Sequence, residues 1–329
     1  MFTFANYFIK SMKTEHVVGV NSREAWVLAS RPKTLTGAAV PVMMGGVLAW
    51  ADAYPLGAVG KGFSWWVWLT CLLFAFIMQI DANFINDYFD FKKGTDDEHR
   101  LGPRRACAQG WVTISAMRKA IVVTTLLACL AGLPLLFVGD WEMLLVGAAC
   151  VLFCFLYTTH LSYWGLGDVL VLVFFGLVPV CITYYLQLHT IERHVVLSAL
   201  ACGMVIDTLL VVNNYRDRDS DRIAGKKTIA VRIGERWTAL LYFVLGLAAC
   251  HMGLVFLKAG AYCTCLVPFN YLFLHAHTYR RMKSIRRGKA LNMVLGETAR
   301  NMFVFGLLFV VGVVADKLMG WWPVLCVID

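Results

Sequence analysis

Charge is what this chain has least of. Only 16% of its 329 residues are Asp, Glu, Lys or Arg, against roughly 25% in an ordinary soluble domain. Hydrophobic residues make up 59% and the mean hydropathy is +0.66. That balance excludes an ordinary soluble enzyme and predicts a polytopic membrane protein whose transmembrane core is most of the chain. Zinc-type cysteine spacing is absent too. The 11 cysteines are scattered through apolar runs, and Cys263-Thr-Cys265 is too tight and has no partner pair. They read as small buried hydrophobes. The N-terminal stretch carries Lys10, Lys13, Glu15, Arg23 and Glu24 without an apolar core, so no cleavable secretory signal is expected. Acidic residues are fewer than basic ones, 21 against 30. The resulting +9 would suit nucleic acid, but the basic residues flank apolar runs. They are therefore read as orientation signals in contact with membrane lipid, with no nucleic-acid partner.

What is there is long apolar runs. A span needs roughly 20 apolar residues, and that ruler marks nine: residues 34–52, 64–86, 120–138, 141–159, 165–188, 195–214, 237–257, 260–278 and 301–316. Short connections imply antiparallel neighbours in an all-α bundle. The expected organisation is a segment at 1–33, a nine-helix transmembrane domain at 34–316 and a tail at 317–329. Lys and Arg counts test the list. Five lie in the segment through Lys33, and seven lie in each of the second–third, sixth–seventh and eighth–ninth connections, so alternate loops hold 26 of the 30. The positive-inside rule places the N-terminus and those loops in the cytoplasm and the C-terminus outside, in a cell's inner (plasma) membrane. Asn21-Ser22-Arg23-Glu24 has capping-box spacing from Asn21 to Glu24, for a short helix that stops before Pro32.

Two acidic segments end spans on the cytoplasmic face. Asn86-Asp87-Tyr88-Phe89-Asp90 closes the second, and Asn213-Asn214-Tyr215-Arg216-Asp217 closes the sixth. The likeness suggests a remnant duplication. On a helix Asn83, Asn86, Asp87 and Asp90 share one face, and Asn214, Asp217 and Asp221 share another, with Asp207 two turns below Asn214. Like charges stacked on one face are unfavourable without a cation between them, and carboxylates near hydrocarbon depth cost roughly 2.5–3.5 kcal/mol each. Hard oxygen ligands of this kind suit Mg²⁺, which takes one or two carboxylates plus substrate phosphates. Basic residues flank both sets. Acids for metal and bases for phosphate oxygens, beside an apolar interior, fit a lipid diphosphate.

These residues resemble the UbiA-type superfamily of intramembrane prenyltransferases, with its N-D-x-x-D-x-x-x-D and D-x-x-x-D motifs. Asn86, Asp87 and Asp90 match the first, with Asp96 as a third acid two positions late; Asp217 and Asp221 match the second. Within the superfamily the chain is most similar to 1,4-dihydroxy-2-naphthoate polyprenyltransferases of menaquinone synthesis. Arg31–Thr34 (RPKT), the stretch NDYFDFKKGTD with Gly102-Pro103-Arg104-Arg105, Gly165–Asp168 (GLGD) and NNYRDRDSDRIAGKKT carry that resemblance. The family's Tyr-x-x-x-Lys element is incomplete: Tyr157 is present, but Leu161 stands at the lysine position.

The resemblance implies nine helices around a central cavity opening toward a cytoplasmic cap. It also implies Mg²⁺-dependent transfer of a polyprenyl chain from polyprenyl diphosphate to dihydroxynaphthoate, with loss of diphosphate and CO₂, giving the quinol form of demethylmenaquinone. Asp87, Asp90, Asp217 and Asp221 would be catalytic through the metal, with Asn86, Asp96 and Asn214 as further ligands. Lys92, Arg104, Arg216 and Lys227 are expected on the diphosphate, and Arg31 or Lys33 on the acceptor carboxylate. Asn83, Tyr88, Tyr157 and Asp168 are expected in support. Prenylation of another acceptor, such as 4-hydroxybenzoate, is the alternative within this chemistry; a secondary transporter is the alternative outside it.

Overall fold

A computed structural model describes residues 18–53, 62–94 and 100–322. Every regular element among them is helical. A short helix, α1 (Arg23–Ser30), passes through a 3-10 turn into α2 (Leu35–Ala53). Then come α3 (Trp65–Lys92), α4 (Ile114–Gly139), α5 (Glu142–Leu161), α6 (Gly167–Leu188), α7 (Arg193–Ile223) and α8 (Ile229–Lys258). A rod formed by Tyr262–Leu266, a turn at Val267–Asn270 and α9 (Tyr271–Ile285) precedes α10 (Leu291–Leu318). Eight helical runs among the described residues are long and apolar enough to cross a membrane, α1 and α2 counting as one. The rod is helical where a span was expected at 260–278. Asn270, His275 and His277 dilute its hydropathy, and Pro268 interrupts its backbone bonding. It is not among the eight.

The N-cap of α1 is Ser22, one residue later than the capping-box spacing predicts: its Oγ accepts from the Ala25 amide at 3.2 Å. Asn21 is committed elsewhere. Its amide donates to the Trp111 carbonyl (2.8 Å) and its Oδ1 accepts from the Thr113 amide (3.1 Å), tying α1 to the start of α4. The helix ends at Ser30, as Pro32 predicts, and Arg31 turns the chain in the left-handed region (φ 50).

Helices α3 and α7 outrun their apolar stretches, to Lys92 and Ile223 instead of 86 and 214. Hydropathy measures the bilayer core, whereas backbone hydrogen bonding continues into the polar turns beyond it. The acidic segments therefore lie on rigid helix and not on loops.

Helix α7 is central: 67% of its apolar window is buried, against 11% in α4 and 6% in α5. Leu126, Leu130 and Phe137 on α4 and Leu145 on α5 face outward, as lipid contact requires. Helices α6 and α7 cross almost backbone to backbone. A Cβ on Gly176 would lie 2.7 Å from both the Ala199 carbonyl oxygen and the Gly203 Cα, and one on Gly203 would lie 3.1 Å from the Leu172 Cα. Such small residues are how helices approach closely in a membrane. Polar groups in the interior are mostly satisfied locally. Asp81 accepts from the hydroxyls of Thr124 (2.5 Å) and Thr125 (2.7 Å). His275 donates through Nε2 to the Tyr242 carbonyl (3.0 Å) and accepts the Tyr271 hydroxyl (2.9 Å).

Candidate active site

The last turns of α3 fan their polar side chains toward three neighbours, the Arg31–Thr34 turn, α5 and the loop between α3 and α4. Buried Asn83 donates to the Ser30 carbonyl and the Thr34 hydroxyl, both at 2.9 Å, and so fastens the Arg31–Thr34 turn to α3. Asn86 accepts from the Thr158 hydroxyl on α5. Asp87 is fully buried and turns toward the loop between α3 and α4. Its two oxygens accept the Ala106 amide (2.9 Å) and the Cys107 amide (3.0 Å), and Arg31 Nη2 lies 3.9 Å away. Its geometry is that of a loop anchor. Asp90, one turn on, pairs with Arg105 at 3.7 Å. Asp96 lies outside the described residues.

On α7, Arg216 is buried and fully engaged. Its Nε and Nη2 reach the two oxygens of Asp217 (2.8 and 2.6 Å), Nη2 also reaches Asn213 Oδ1 (2.6 Å), and Nη1 reaches Asn292 Oδ1 (2.8 Å). Asn292 in turn donates to the Leu101 carbonyl at 2.8 Å. One residue of α10 thus joins the α3–α4 loop to the second acidic segment. Asn214 is half-buried, and Asp221 faces Lys226 at 3.7 Å. Arg218 points away, held by Glu235 on α8 at 2.9 Å.

Loop cations bring the two segments to one mouth. Lys226 pairs with Asp221 and is also within electrostatic reach of Asp90. Arg100 lies among Asp217, Asp90 and Asp87. Burial lowers the Arg100 pKa below the ordinary guanidinium value, against the pull of Asp217 and Asp90. Lys93 donates to the carbonyls of Thr158 (3.2 Å) and Thr159 (2.7 Å). Partial burial lowers its pKa, Asp90 opposes the shift and Lys226 adds to it. The ring of Tyr163 takes both ammonium groups, Lys93 at 4.2 Å and Lys226 at 5.1 Å from its centroid. Its hydroxyl is buried with no hydrogen-bond partner among the described residues. The chain passes here because Gly165 (φ 80) has no Cβ, which would strike the Lys227 carbonyl. Cys107 is inert beside this mouth: burial, then Asp87, pushes its thiol up to about 12.

Of the bases expected on the diphosphate, Lys92, Arg104 and Lys227 are exposed, and the guanidinium of Arg216 is taken up by Asp217, Asn213 and Asn292. Arg100, Arg105 and Lys226 surround the acids in their place, with Lys93 also exposed but within electrostatic reach of Asp90. Helical phase would have found Lys93, which lies three residues beyond Asp90 on the same face, whereas Lys92 is off it. Its ammonium, at the Thr158 and Thr159 carbonyls, also puts a cation near the place left by Leu161. No sequence signal marks Asn292. Lys33 is exposed, while Arg31 turns inward. Tyr88 packs edge-on to Phe89 (5.1 Å), and Tyr157 lies within electrostatic reach of Asp168, Asp207, Asp90 and Asp221.

The sequence profile of the UbiA prenyltransferase family matches residues 38–296. The chain belongs to the UbiA prenyltransferase family. Its similarity to individual members runs nearly end to end. A 1,4-dihydroxy-2-naphthoate octaprenyltransferase of Escherichia coli K12 is 33% identical over 325 residues, spanning 89% of this chain and 96% of that protein. One from Mycobacterium tuberculosis H37Rv is 36% identical over 286 residues, 86% and 94% of the two chains. Solved structures share the fold of this UbiA-family chain. The apo structure of a UbiA homolog from Aeropyrum pernix K1 gives a TM-score of 0.62 at 14% identity, covering 85% of this chain and 97% of that one. A UbiA homolog from Archaeoglobus fulgidus, solved with DMAPP and Mg²⁺, gives 0.54 at 12% identity, covering 87% and 99%.

The donor set suits a divalent hard cation. Asn86, Asp90, Asp217 and Asp221 offer oxygen, and no cluster of three His, Cys, Asp or Glu able to cage a bare ion occurs among the described residues. Mg²⁺ needs no cage, because it completes its octahedron with substrate phosphate and water.

Proposed function

We propose that this membrane-embedded prenyltransferase joins a polyprenyl chain from its diphosphate to 1,4-dihydroxy-2-naphthoate. The observation that carries the reading is the meeting of two acidic helix ends, α3 and α7, through Arg100 and Lys226 at one mouth of an apolar bundle. The similarity to naphthoate octaprenyltransferases over almost the whole chain supports that acceptor. Asn86, Asp90, Asp217 and Asp221 would hold Mg²⁺, with Asn214 as a further oxygen donor, and Asp87 anchors the loop that carries Arg100 and Arg105. When bound, Mg²⁺ neutralises charge growing on the departing diphosphate. Lys93, Arg100, Arg105 and Lys226 donate charge-assisted hydrogen bonds to the phosphate oxygens. The apolar helices keep water from the allylic carbon. The carbon–oxygen bond to diphosphate breaks with its electron pair on the phosphate side, and the ring forms a bond to the allylic carbon. The ring carboxylate leaves as CO₂, its bonding pair staying on the ring.

Arg31 suits the acceptor carboxylate. Its Nη2 is buried without a hydrogen bond among the described residues, 3.9 Å from Asp87. The rod ending in α9 is the ninth span of the single 34–316 domain, which restores the alternation of basic loops. The diphosphate mouth and its capping loops then face the cytoplasm across a plasma (inner) membrane, with the C-terminus outside. The test uses purified protein in lipid nanodiscs with Mg²⁺ and a polyprenyl diphosphate, offered dihydroxynaphthoate or 4-hydroxybenzoate. Prenylated naphthol product and CO₂ from the naphthoate arm alone are expected. Product from benzoate alone would reassign the acceptor, and none from either would reject the reading.

A further inference from the structure

The α6–α7 crossing places two acids that the mechanism above does not use. The helices run antiparallel through the contacts of Gly176 with Ala199 and of Leu172 with Gly203. One further turn in that register sets Asp168, in the first turn of α6, opposite Asp207 on α7. Asp168 is 7% exposed and Asp207 2%, and each is within electrostatic reach of the other's helix position. Each keeps one carboxylate oxygen buried and without a hydrogen-bond partner among the described residues. Other buried carboxylates are answered, Asp81 by Thr124 and Thr125 and Asp87 by two backbone amides, while Glu297, whose Oε2 also lacks a hydrogen bond, is paired with Arg281 through Oε1. Two unanswered acceptors facing one another are a site for a ligand that brings donors.

Three observations define that ligand. The lining is apolar and aromatic: beside Gly167 stand Leu210, 3.3 Å from where its Cβ would be, and the Tyr157 ring at 3.7 Å. Tyr157 also reaches Asp90 and Asp221 electrostatically, so the pair adjoins the diphosphate mouth. Neither acid makes an ion pair among the described residues, which separates this pair from Asp90, Asp217 and Asp221, each beside Lys or Arg. Hydroxyl donors on an aromatic ring match that chemistry; a phosphate or carboxylate does not.

Resting on the acceptor class proposed above, we infer that Asp168 and Asp207 hold the acceptor ring by hydroxyl, their unpartnered oxygens accepting its O–H. A dihydroxy aromatic acid is bipolar, and this site orients it. Its carboxylate is repelled by the pair and drawn toward the cations, while a hydroxyl is drawn in. The two acids are positioning residues, and the hydrogen bond they accept raises electron density on the ring that attacks.

The test separates acceptor from donor substrate. Asp168→Asn and Asp207→Asn are assayed in nanodiscs with Mg²⁺, varying dihydroxynaphthoate and prenyl diphosphate in turn, and each protein is offered the ring-methoxy analogue of the acceptor. The expected result is an acceptor KM raised about tenfold or more while the prenyl diphosphate KM stays within about twofold. Wild type should discriminate strongly against the methoxy analogue, and both variants should lose most of that discrimination. An unchanged acceptor KM, an equal rise in both KM values, or discrimination persisting in the variants would overturn the inference. Should a variant fail to fold, judged by Mg²⁺-dependent binding of a prenyl thiodiphosphate, the wild-type analogue series decides: equal use of hydroxy and methoxy acceptors overturns it. Wild type inactive on every naphthoate would overturn the acceptor class as well, whereas active wild type with unmoved variants overturns this inference alone.

Discussion

Helices α2 and α10 each run from one polar end of the bundle to the other, and the two ends treat carboxylates in opposite ways. At one end Asp52 accepts from the Tyr184 hydroxyl (2.7 Å), the Trp322 indole (2.8 Å) and His194 (3.0 Å). Asp316 accepts the amides of Cys263 (2.9 Å) and Thr264 (2.6 Å) and the Thr264 hydroxyl (2.7 Å). These networks are closed. At the other end Asp90, Asp217 and Asp221 meet cations, and the Tyr163 hydroxyl, Arg31 Nη2 and one oxygen each of Asp168 and Asp207 have no hydrogen-bond partner among the described residues. Carboxylates whose oxygens are saturated by donors of the fold hold helices together, Asp52 with Lys317 also in electrostatic reach. Carboxylates ringed by cations, with polar atoms left over, are arranged for something that arrives.

The contrast should be widest in catalysis. Asp90→Asn or Asp217→Asn is expected to lower Mg²⁺-dependent turnover about 10²–10³-fold, the scale of losing a preorganised electrostatic stabiliser. Asp52→Asn should keep turnover per folded molecule within about twofold, because it touches no charge that develops in the reaction. Nanodisc assays normalised to folded protein measure both. If Asp52→Asn were as inactive as Asp90→Asn, the division between the ends would fail.

Stability should show the reverse order. Asp316→Ala strands the part-buried Cys263 amide and the buried Thr264 amide and hydroxyl, each buried unpaired donor costing about 1–3 kcal/mol. The thermal midpoint in detergent should fall clearly, and Asp90→Ala should leave it nearly unchanged or raise it. The smallest effect lies within the mouth. Lys93→Ala should raise the prenyl diphosphate KM about tenfold by removing a charge-assisted contact, while Lys92→Ala, off the Asp90 face of α3, should change it by less than about twofold.

That last pair also marks what the sequence can and cannot tell. Helical period grouped Asn83, Asn86, Asp87 and Asp90 correctly on the end of α3, and hydropathy located the runs that became α2 to α8 and α10. The same period, extended one turn, selects Lys93. Phase is lost once the chain leaves the helix, so choosing between Arg104 and Arg105 needs the fold. Asp87 reads as a ligand because its loop amides at 106 and 107 are invisible to spacing. Asn292 is a lone amide on a remote helix until Arg216 and Leu101 are seen to share it. The ruler marks 260–278 as a span, yet the rod at 262–285 is not among the eight long apolar helices of the described residues, because Asn270, His275 and His277 dilute it. Packing answers part of that polarity, with Asn301 donating to Thr278 at 2.9 Å.

The most direct measurement is a double-mutant cycle on binding, not turnover. Wild type, Asp90→Asn, Asp217→Asn and the double variant are titrated with a non-reactive prenyl thiodiphosphate, with and without Mg²⁺. If α3 and α7 build one metal–diphosphate cradle, each single substitution removes most of the Mg²⁺-dependent affinity, and the double variant loses little more than the worse single one. Losses that multiply across the two helices, or affinity indifferent to Mg²⁺ in the wild type, would contradict it.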